Sequence, residues 1–506
     1  MIKSFSLSIN LYHKIGLFLL ILFIGCINNP SNNDETAVAF DNSSSWLIRI
    51  NDYYCSFDQG NKTMLFPIDS ANINGFNGIV EYSEEHYDNI YLNDIMVGNG
   101  ENFNFDNINV DDTIRVMFKI NTKNVVYSLL FTTLPTVLIF TEKDIVDELK
   151  IYSEFIINDI LDGKIYDIHA GIEIRGGPSS QNSPKKSYEL ELWENRNGLD
   201  TRKEELFGLR NDADWHLDAM YFDETKSKNI LGMKIWEAFS RSKHLMDEEE
   251  ALLTQRGELV EVFLNNNYFG IYSFNEQIDR KQLRLKKYGG LLYKSEDWTE
   301  ETTFQGISID PENSLNWSGY ELKHPEDLNA LNWEPLYEFI HLVAYADNDL
   351  FKDSINTLID IENVIDYFIF INLIQANDNT GKNMYICRYD ENYPLFFIPW
   401  DLDRTLGWYD NNILTNPLFT RLYELDVNNY RSIVKDRWNE INQNNLHQNI
   451  MDYFEENINK IILSNAGNRD NVKWNLLTNY FDMIEDLDIW VDESILFFNN
   501  YISTNY

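Results

Sequence analysis

The sequence predicts an α+β protein in which a small all-β sandwich precedes a larger, two-lobed domain. Three observations carry this reading. Residues 46–135 alternate apolar and polar side chains in short runs, with Asn, Asp and Gly clustered between them. That is the pattern of half-buried strands joined by turns. Residues 136–293 mix strands with some helix, opening on Thr-Val-Leu-Ile-Phe at 136–140. From about residue 333 the pattern is helical, apart from one hairpin near 384–400. Strands and helices segregated along the chain give α+β rather than alternating α/β architecture.

The elements follow in order. Residues 113–120 and 125–131 are the clearest alternating runs of the first part, and their length and spacing suit an Ig-like β-sandwich over 46–135. It carries no catalytic constellation, so its expected role is a spacer or binding module. The larger domain spans 136–490, and residues 491–506 are set apart as a C-terminal tail. No internal repeat of fixed period is present.

Ahead of the sandwich, Lys3, His13 and Lys14 precede an apolar run at 15–25 that ends at Cys26. The run is too short to span a bilayer, which takes about 20 residues, but it suits a signal peptide over 1–25. The order Phe-Ile-Gly-Cys resembles a bacterial lipoprotein signal, with Cys26 as the lipidated residue. Residues 26–45 are rich in Asn and Ser and read as a flexible tether. The expectation is an exported lipoprotein, membrane-anchored through an N-terminal lipid and placed in the cell envelope or on the cell surface. Which leaflet holds the lipid is left open.

The chain has 506 residues, with 81 acidic against 41 basic side chains and a net charge of −40. Such a balance argues against nucleic acid as a partner, because phosphate backbones demand a dense basic surface. It favours basic protein partners instead. A hydrophobic fraction of 44% excludes a disordered chain. Cys55 and Cys387 are the other cysteines, and no cysteine cluster or His-Glu-x-x-His motif points to zinc.

The chemistry gathers at the one hairpin. A buried helix over 362–376 runs into a polar loop holding Asp378 and Asn383. Two arms follow, 384–389 and 395–400, and lead into Asp401-Leu402-Asp403. Arms of equal length place Asn383 beside Asp401 at the open end, with Asp378 in the loop feeding that end. Two carboxylates and an amide offer hard oxygen ligands of the kind Mg²⁺ or Mn²⁺ takes. An Asp followed five residues later by an Asn, then a later Asp after a short hairpin, is also the order of parts in a protein-kinase catalytic half. His-Arg is replaced here by Ala376-Asn377, and Phe-Gly by Leu402-Asp403.

Further segments extend this likeness. They are Arg-Gly-Gly at 175–177, Ser179-Ser180, Pro184-Lys185-Lys186 with Tyr188, and Asp214-Trp215. Lys228-Asn229, Asn265 with Tyr268, Gly270, Tyr272, Glu276 and Ile278, then Gly289-Gly290, Lys323 and Trp400-Asp401-Leu402-Asp403 follow. In this order they resemble the CotH kinase family, atypical kinases first met in spore coats, over about residues 135–480. The resemblance implies an atypical protein-kinase-like fold and metal-dependent transfer of the ATP γ-phosphate to Ser or Thr of a surface or secreted protein. Pro178 departs from the family's Gly-rich pattern and removes a backbone N–H that a phosphate loop would use.

With that resemblance, Asp378 orients or deprotonates the acceptor hydroxyl, and Asn383 and Asp401 hold the metal. Lys186 contacts the nucleotide phosphates, with Lys185 as the fallback. On the residues alone, a strand-end lysine snorkelling to water explains Lys186 as well. Arg175 grips a phosphate or forms a structural ion pair. Glu276 lines the adenine side or pairs with a lysine. Asp403 supports the metal ligands or caps a turn. The competing function is a catalytically idle surface scaffold that binds a glycan or protein. A glycosidase fits less well, since Asp401 and Asp403 are too close for the usual paired-carboxylate geometry.

Overall fold

The computed structural model describes residues 43–69, 73–176 and 182–506. Cys26, the signal segment and nearly all of the tether lie outside these residues, as does the Gly-Pro loop at 177–181. No helix among the described residues is long and apolar enough to cross a membrane.

Residues 46–132 form two β-sheets. One is four-stranded, in the order Tyr53–Tyr54, Arg49–Ile50, Gly75–Glu81, Glu101–Asp106. The other is six-stranded and centres on Lys123–Thr132 and Ile114–Ile120. Phe76 and Phe105 of the first sheet meet Phe66 and Phe131 of the second, with ring centroids 5.9 and 6.3 Å apart. Inward aromatic positions of period-two strands thus build a core between two layers.

Next comes a closed barrel. Its strands run Thr136–Phe140, Ile151–Asp159, Lys164–Arg175, Ser187–Trp193, Asp214–Asp218, Asn267–Asn275 and Gly257–Leu264, the last pairing in parallel with the first. Val137, Ile172, Leu190, Trp215, Val262 and Phe274 belong to its apolar core. The intervening residues Glu173, Glu189, His216 and Asp218 are only part-buried, so these three strands turn a polar face outward, whereas Leu259 and Ile271 pack into the neighbouring core. Along the three, period two thus separates an apolar inside from a polar outside.

The remainder is mostly helical around one antiparallel sheet. That sheet runs Asn316–Trp317, Tyr320–His324, Leu291–Ser295, Met384–Arg388, Leu395–Pro399. The helix Ile361–Ile374 is buried from Asn363 to its end, as expected of a helix apolar on all sides. Asn363 pins it to the sheet: its Nδ2 donates to Phe397 O at 3.2 Å and its Oδ1 accepts from Phe397 N at 2.6 Å. The completely buried Asp366 accepts from Arg241 on one side and Arg437 on the other, at 2.8 Å each.

Residues 491–506 are not a loose tail. The last helix is Tyr480–Asn505, and Leu487, Val491, Ser494, Phe498 and Ile502 are buried along it. Their spacing of three or four residues traces one helix face, which carries the helix onto Leu373, whose carbonyl accepts from Ser494 Oγ at 2.7 Å.

Candidate functional site

The hairpin's strands pair Met384 with Pro399 and Arg388 with Leu395. Counting outward, Asn383 faces Trp400, whose N–H donates to Asn383 O at 3.0 Å. Asp401 is therefore one residue past direct opposition, a register shift from the equal-arm reading. The two residues still touch: Asn383 Nδ2 donates to Asp401 O at 3.4 Å. Both have left-handed backbones, with φ of 54° and 56°. Such conformations cost energy in a non-glycine residue and persist where the surroundings enforce them.

The enforcement can be named. The buried Asn379 donates its Nδ2 to both Asn383 O and Trp400 O, at 2.5 and 3.1 Å. One amide thus ties the 377–380 turn to both arms of the hairpin. Tyr367 Oη and Asn416 Nδ2 hold the same turn through Asn379 O and Thr380 O. Asp378 sits on this turn, part-buried, with Lys382 Nζ 3.6 Å from its carboxylate. On the other side, Asn229 Oδ1 accepts from Leu402 N at 3.1 Å. Leu402 then packs on Gly232 of the helix Lys228–Phe239, where a Cβ would stand 2.6 Å from Leu402 Cδ1. The helix start is itself fixed by Asp223, whose carboxylate accepts from Ser227 N and Lys228 N at 2.8 Å each.

Asp401 is exposed to solvent at the hairpin end, with protein packed closely around its carboxyl. That enclosure raises its carboxyl above the usual range. Arg175 pulls it back down and Asp218 pushes it up again. Burial raises Asp403 further, with Asp401 as the next cause. Two carboxylates that repel each other in partly dry surroundings favour a cation between or beside them. Asp401 and Asn383 could offer oxygens to a hard divalent ion, since Mg²⁺ commonly takes one or two protein carboxylates and completes its shell with phosphate and water. Among the described residues, no three acidic or histidine side chains are gathered as a ready-made metal cage.

The predicted nucleotide residues separate into two groups. Arg175 ends its barrel strand and donates Nη1 to Asp218 Oδ1 at 2.5 Å. Burial works against its charge, but Asp218, Tyr385 and Asp401 outweigh burial and hold the guanidinium charged. It stands within the electrostatic reach of the hairpin end. Lys185 does not. Its ammonium is fully buried, donates to Asp470 Oδ1 at 3.0 Å and to Ile271 O, and lies 4.7 Å from the Tyr272 ring centroid. Burial lowers its pKa to about 8, Asp470 opposing and Lys226 adding to the shift. Gly270 makes room for this pair: its φ is +104°, and a Cβ there would come within 2.1 Å of Asp470 Oδ1. Lys186, next in the chain, is part-buried, and its carbonyl accepts from Tyr272 Oη at 3.0 Å. Glu276 is completely buried and accepts from Arg256 Nη2 at 3.1 Å, Arg210 N at 2.8 Å and Gln282 Nε2 at 2.9 Å. These contacts make it a structural ion pair under the barrel's last strand.

Sequence reasoning assigned no role to Asn379, Asn229 or Asp218. Asn229 had a signal, since it lies within a segment carrying the family resemblance. Asn379 is one of many Asn residues in an Asn-rich chain, and only the folded hairpin distinguishes it.

A search of curated proteins returned no match. The profile described as CotH kinase protein matches residues 172–494. That span begins within the barrel, takes in Asp378, Asn383, Asp401 and Asp403, and ends inside the last helix. The chain belongs to the CotH kinase family.

Proposed function

We propose that this protein is an exported atypical protein kinase, anchored to a membrane through lipidated Cys26, that transfers the ATP γ-phosphate to Ser or Thr of a surface or secreted protein. The single observation that carries the reading is the hairpin end. There Asn383 and Asp401 touch, both with left-handed backbones, Asp401 is exposed, and Arg175 stands within electrostatic reach. Family membership supports the same chemistry. We read the barrel as one lobe and the helical part with its five-stranded sheet as the other, the nucleotide lying between them.

In this reading Asp378 accepts the hydroxyl proton of the acceptor and holds its oxygen in line with the γ-phosphorus. Lys382 Nζ stands 3.6 Å from the Asp378 carboxylate, beside the position this reading gives the acceptor. Asn383 and Asp401 would hold Mg²⁺ or Mn²⁺, which when bound neutralises charge on the phosphates. Asp403 supports the loop bearing Asp401. The −40 net charge favours a substrate segment rich in Lys and Arg around the acceptor.

The test is a thermal melt with ATP, with and without Mg²⁺ or Mn²⁺, of the wild type and of Asp401→Ala. A ligand at a hundred times its Kd stabilises by about 2.7 kcal/mol. The expected result is a metal-dependent shift in the wild type that Asp401→Ala abolishes. No shift at millimolar ATP with either metal rejects the kinase reading in favour of an idle surface scaffold.

A further inference from the structure

Several cations stand near His216 on this strongly acidic chain. His216, on the barrel strand Asp214–Asp218, has a buried Nδ1 with no hydrogen-bond partner among the described residues. Burial holds its ring neutral, and Arg175, Lys294, Lys323 and Lys150 push it the same way. These cations come from two walls. Arg175 and Lys150 belong to the barrel side, and Lys294 and Lys323 to the five-stranded sheet. Lys294 is the one beside the hairpin end. It pairs in register with Tyr385, and the next residue, Ser295, accepts Asn383 N–H at 3.1 Å. Its ammonium lies 4.3 Å from the ring centroid of Trp400, the residue before Asp401, and 2.6 Å from Glu296 Oε1. The side chain is 16% exposed. Each of these cations also has a carboxylate of its own, Lys150 with Glu173 and Glu189, Arg175 with Asp218, Lys294 with Glu296 and Lys323 with Glu321, and a bound polyanion would compete for them.

We propose that Lys294, with Arg175 opposite, holds the phosphate chain of the nucleotide, the role that sequence reasoning gave to Lys186 and Lys185. The proposal rests on the kinase reading above and names the residue that grips its substrate. Lys185 is committed to Asp470 and Ile271 O in the interior. Lys294 instead has the form of a grip at rest: one carboxylate partner and an aromatic face beneath it, beside the hairpin end. A phosphate oxygen would draw the ammonium away from Glu296 without unburying it.

The experiment measures binding by calorimetry of three probes, all with Mn²⁺: ATP, inorganic tripolyphosphate and adenosine. The proteins are the wild type, Lys294→Met, Lys294→Arg and Glu296→Gln. Methionine keeps the stem over Trp400 and removes the charge. Lys294→Met is expected to weaken ATP and tripolyphosphate by about 10- to 100-fold, the range of a charge-assisted hydrogen bond, and to leave adenosine unchanged. Lys294→Arg keeps binding within a few-fold, and Glu296→Gln tightens both phosphate probes. ATP affinity of Lys294→Met within twofold of the wild type overturns the proposal, and so does an equal loss for adenosine. If Lys294→Met does not fold, unchanged phosphate binding by Glu296→Gln overturns it instead. A wild type that binds neither ATP nor tripolyphosphate rejects the kinase reading itself, and this proposal falls with it. A wild type that binds both, beside an unaffected Lys294→Met, rejects this proposal alone.

Discussion

Acid should destabilise this protein through one residue, His244. Its side chain is buried, stacked on Phe396 of the hairpin at 4.6 Å and on Tyr389 at 5.5 Å, and Ser242 Oγ lies 2.8 Å from its Nδ1. Burial lowers its pKa to about 4, although a backbone hydrogen bond at Leu283 and the charges of Glu248 and Asp247 oppose the shift. In the unfolded chain the ring titrates near 6.5. Between pH 4 and 6.5 the unfolded state therefore binds the proton that the folded state refuses. Stability from this group is fully present above pH 6.5 and is lost as pH falls toward 4. The whole difference is on the order of 3 kcal/mol, and about 2 kcal/mol of it is lost between pH 7.5 and 5. Many carboxylates titrate over the same range, so the measurement is a difference. Urea unfolding of the wild type and His244→Phe is compared at pH 7.5, 6.5, 5.5 and 5.0. Phenylalanine keeps the stack, and the lost Ser242 contact shifts its stability by a constant. The gap between the two proteins should move by about 2 kcal/mol in favour of His244→Phe as pH falls. Parallel profiles, or a gap that moves the other way, refute the reasoning.

Two further outcomes follow from buried polar groups. Asp366→Asn leaves the guanidinium groups of Arg241 and Arg437 facing each other without their shared carboxylate; urea denaturation should show a loss of about 3–5 kcal/mol. Gly270→Ala forces a side chain onto a left-handed backbone and into Asp470 Oδ1, and should cost at least ~2 kcal/mol in the same assay. Its Kd for ATP, measured on the fraction that folds, should stay near that of the wild type, because the Lys185–Asp470 pair lies away from the hairpin end.

The parts of the fold that were legible are those in which local pattern and tertiary burial agree. The alternating runs of 114–120 and 123–132 became strands, and the apolar stretch of 361–374 became a central helix. The hairpin was legible because two apolar arms flank a turn rich in polar residues. Its register was not, because run length does not reveal where the turn closes. It closes on Arg388 and Leu395, one residue inside the first arm, and so moves Asn383 opposite Trp400. Lys185 and Lys186 could not be told apart from sequence, because what commits Lys185 is a carboxylate 285 residues away. The end of the last helix was set apart as a tail for a different reason: its apolar face is diluted by Asp, Glu and Asn on the exposed sides. Lys294 drew no notice because nothing in its neighbourhood marks a strand lysine as standing beside the hairpin end.

The ion pair between Lys185 and Asp470 also sets an order of events during synthesis. Lys185 and Lys226 are made first, and the carboxylate that lies near both follows 285 residues after Lys185. At about 5–20 residues per second that interval is roughly 15–60 s. Throughout it, Lys185 and Lys226 are without the carboxylate that they approach in the finished fold. Arg469, meanwhile, brings Glu261 of the barrel its guanidinium partner at 2.6 Å only when the same late helix arrives. The barrel is thus continuous in its strands but not autonomous in its charge balance. A nascent chain halted before residue 469 carries all the strands of the barrel but lacks the partners of Lys185 and Glu261.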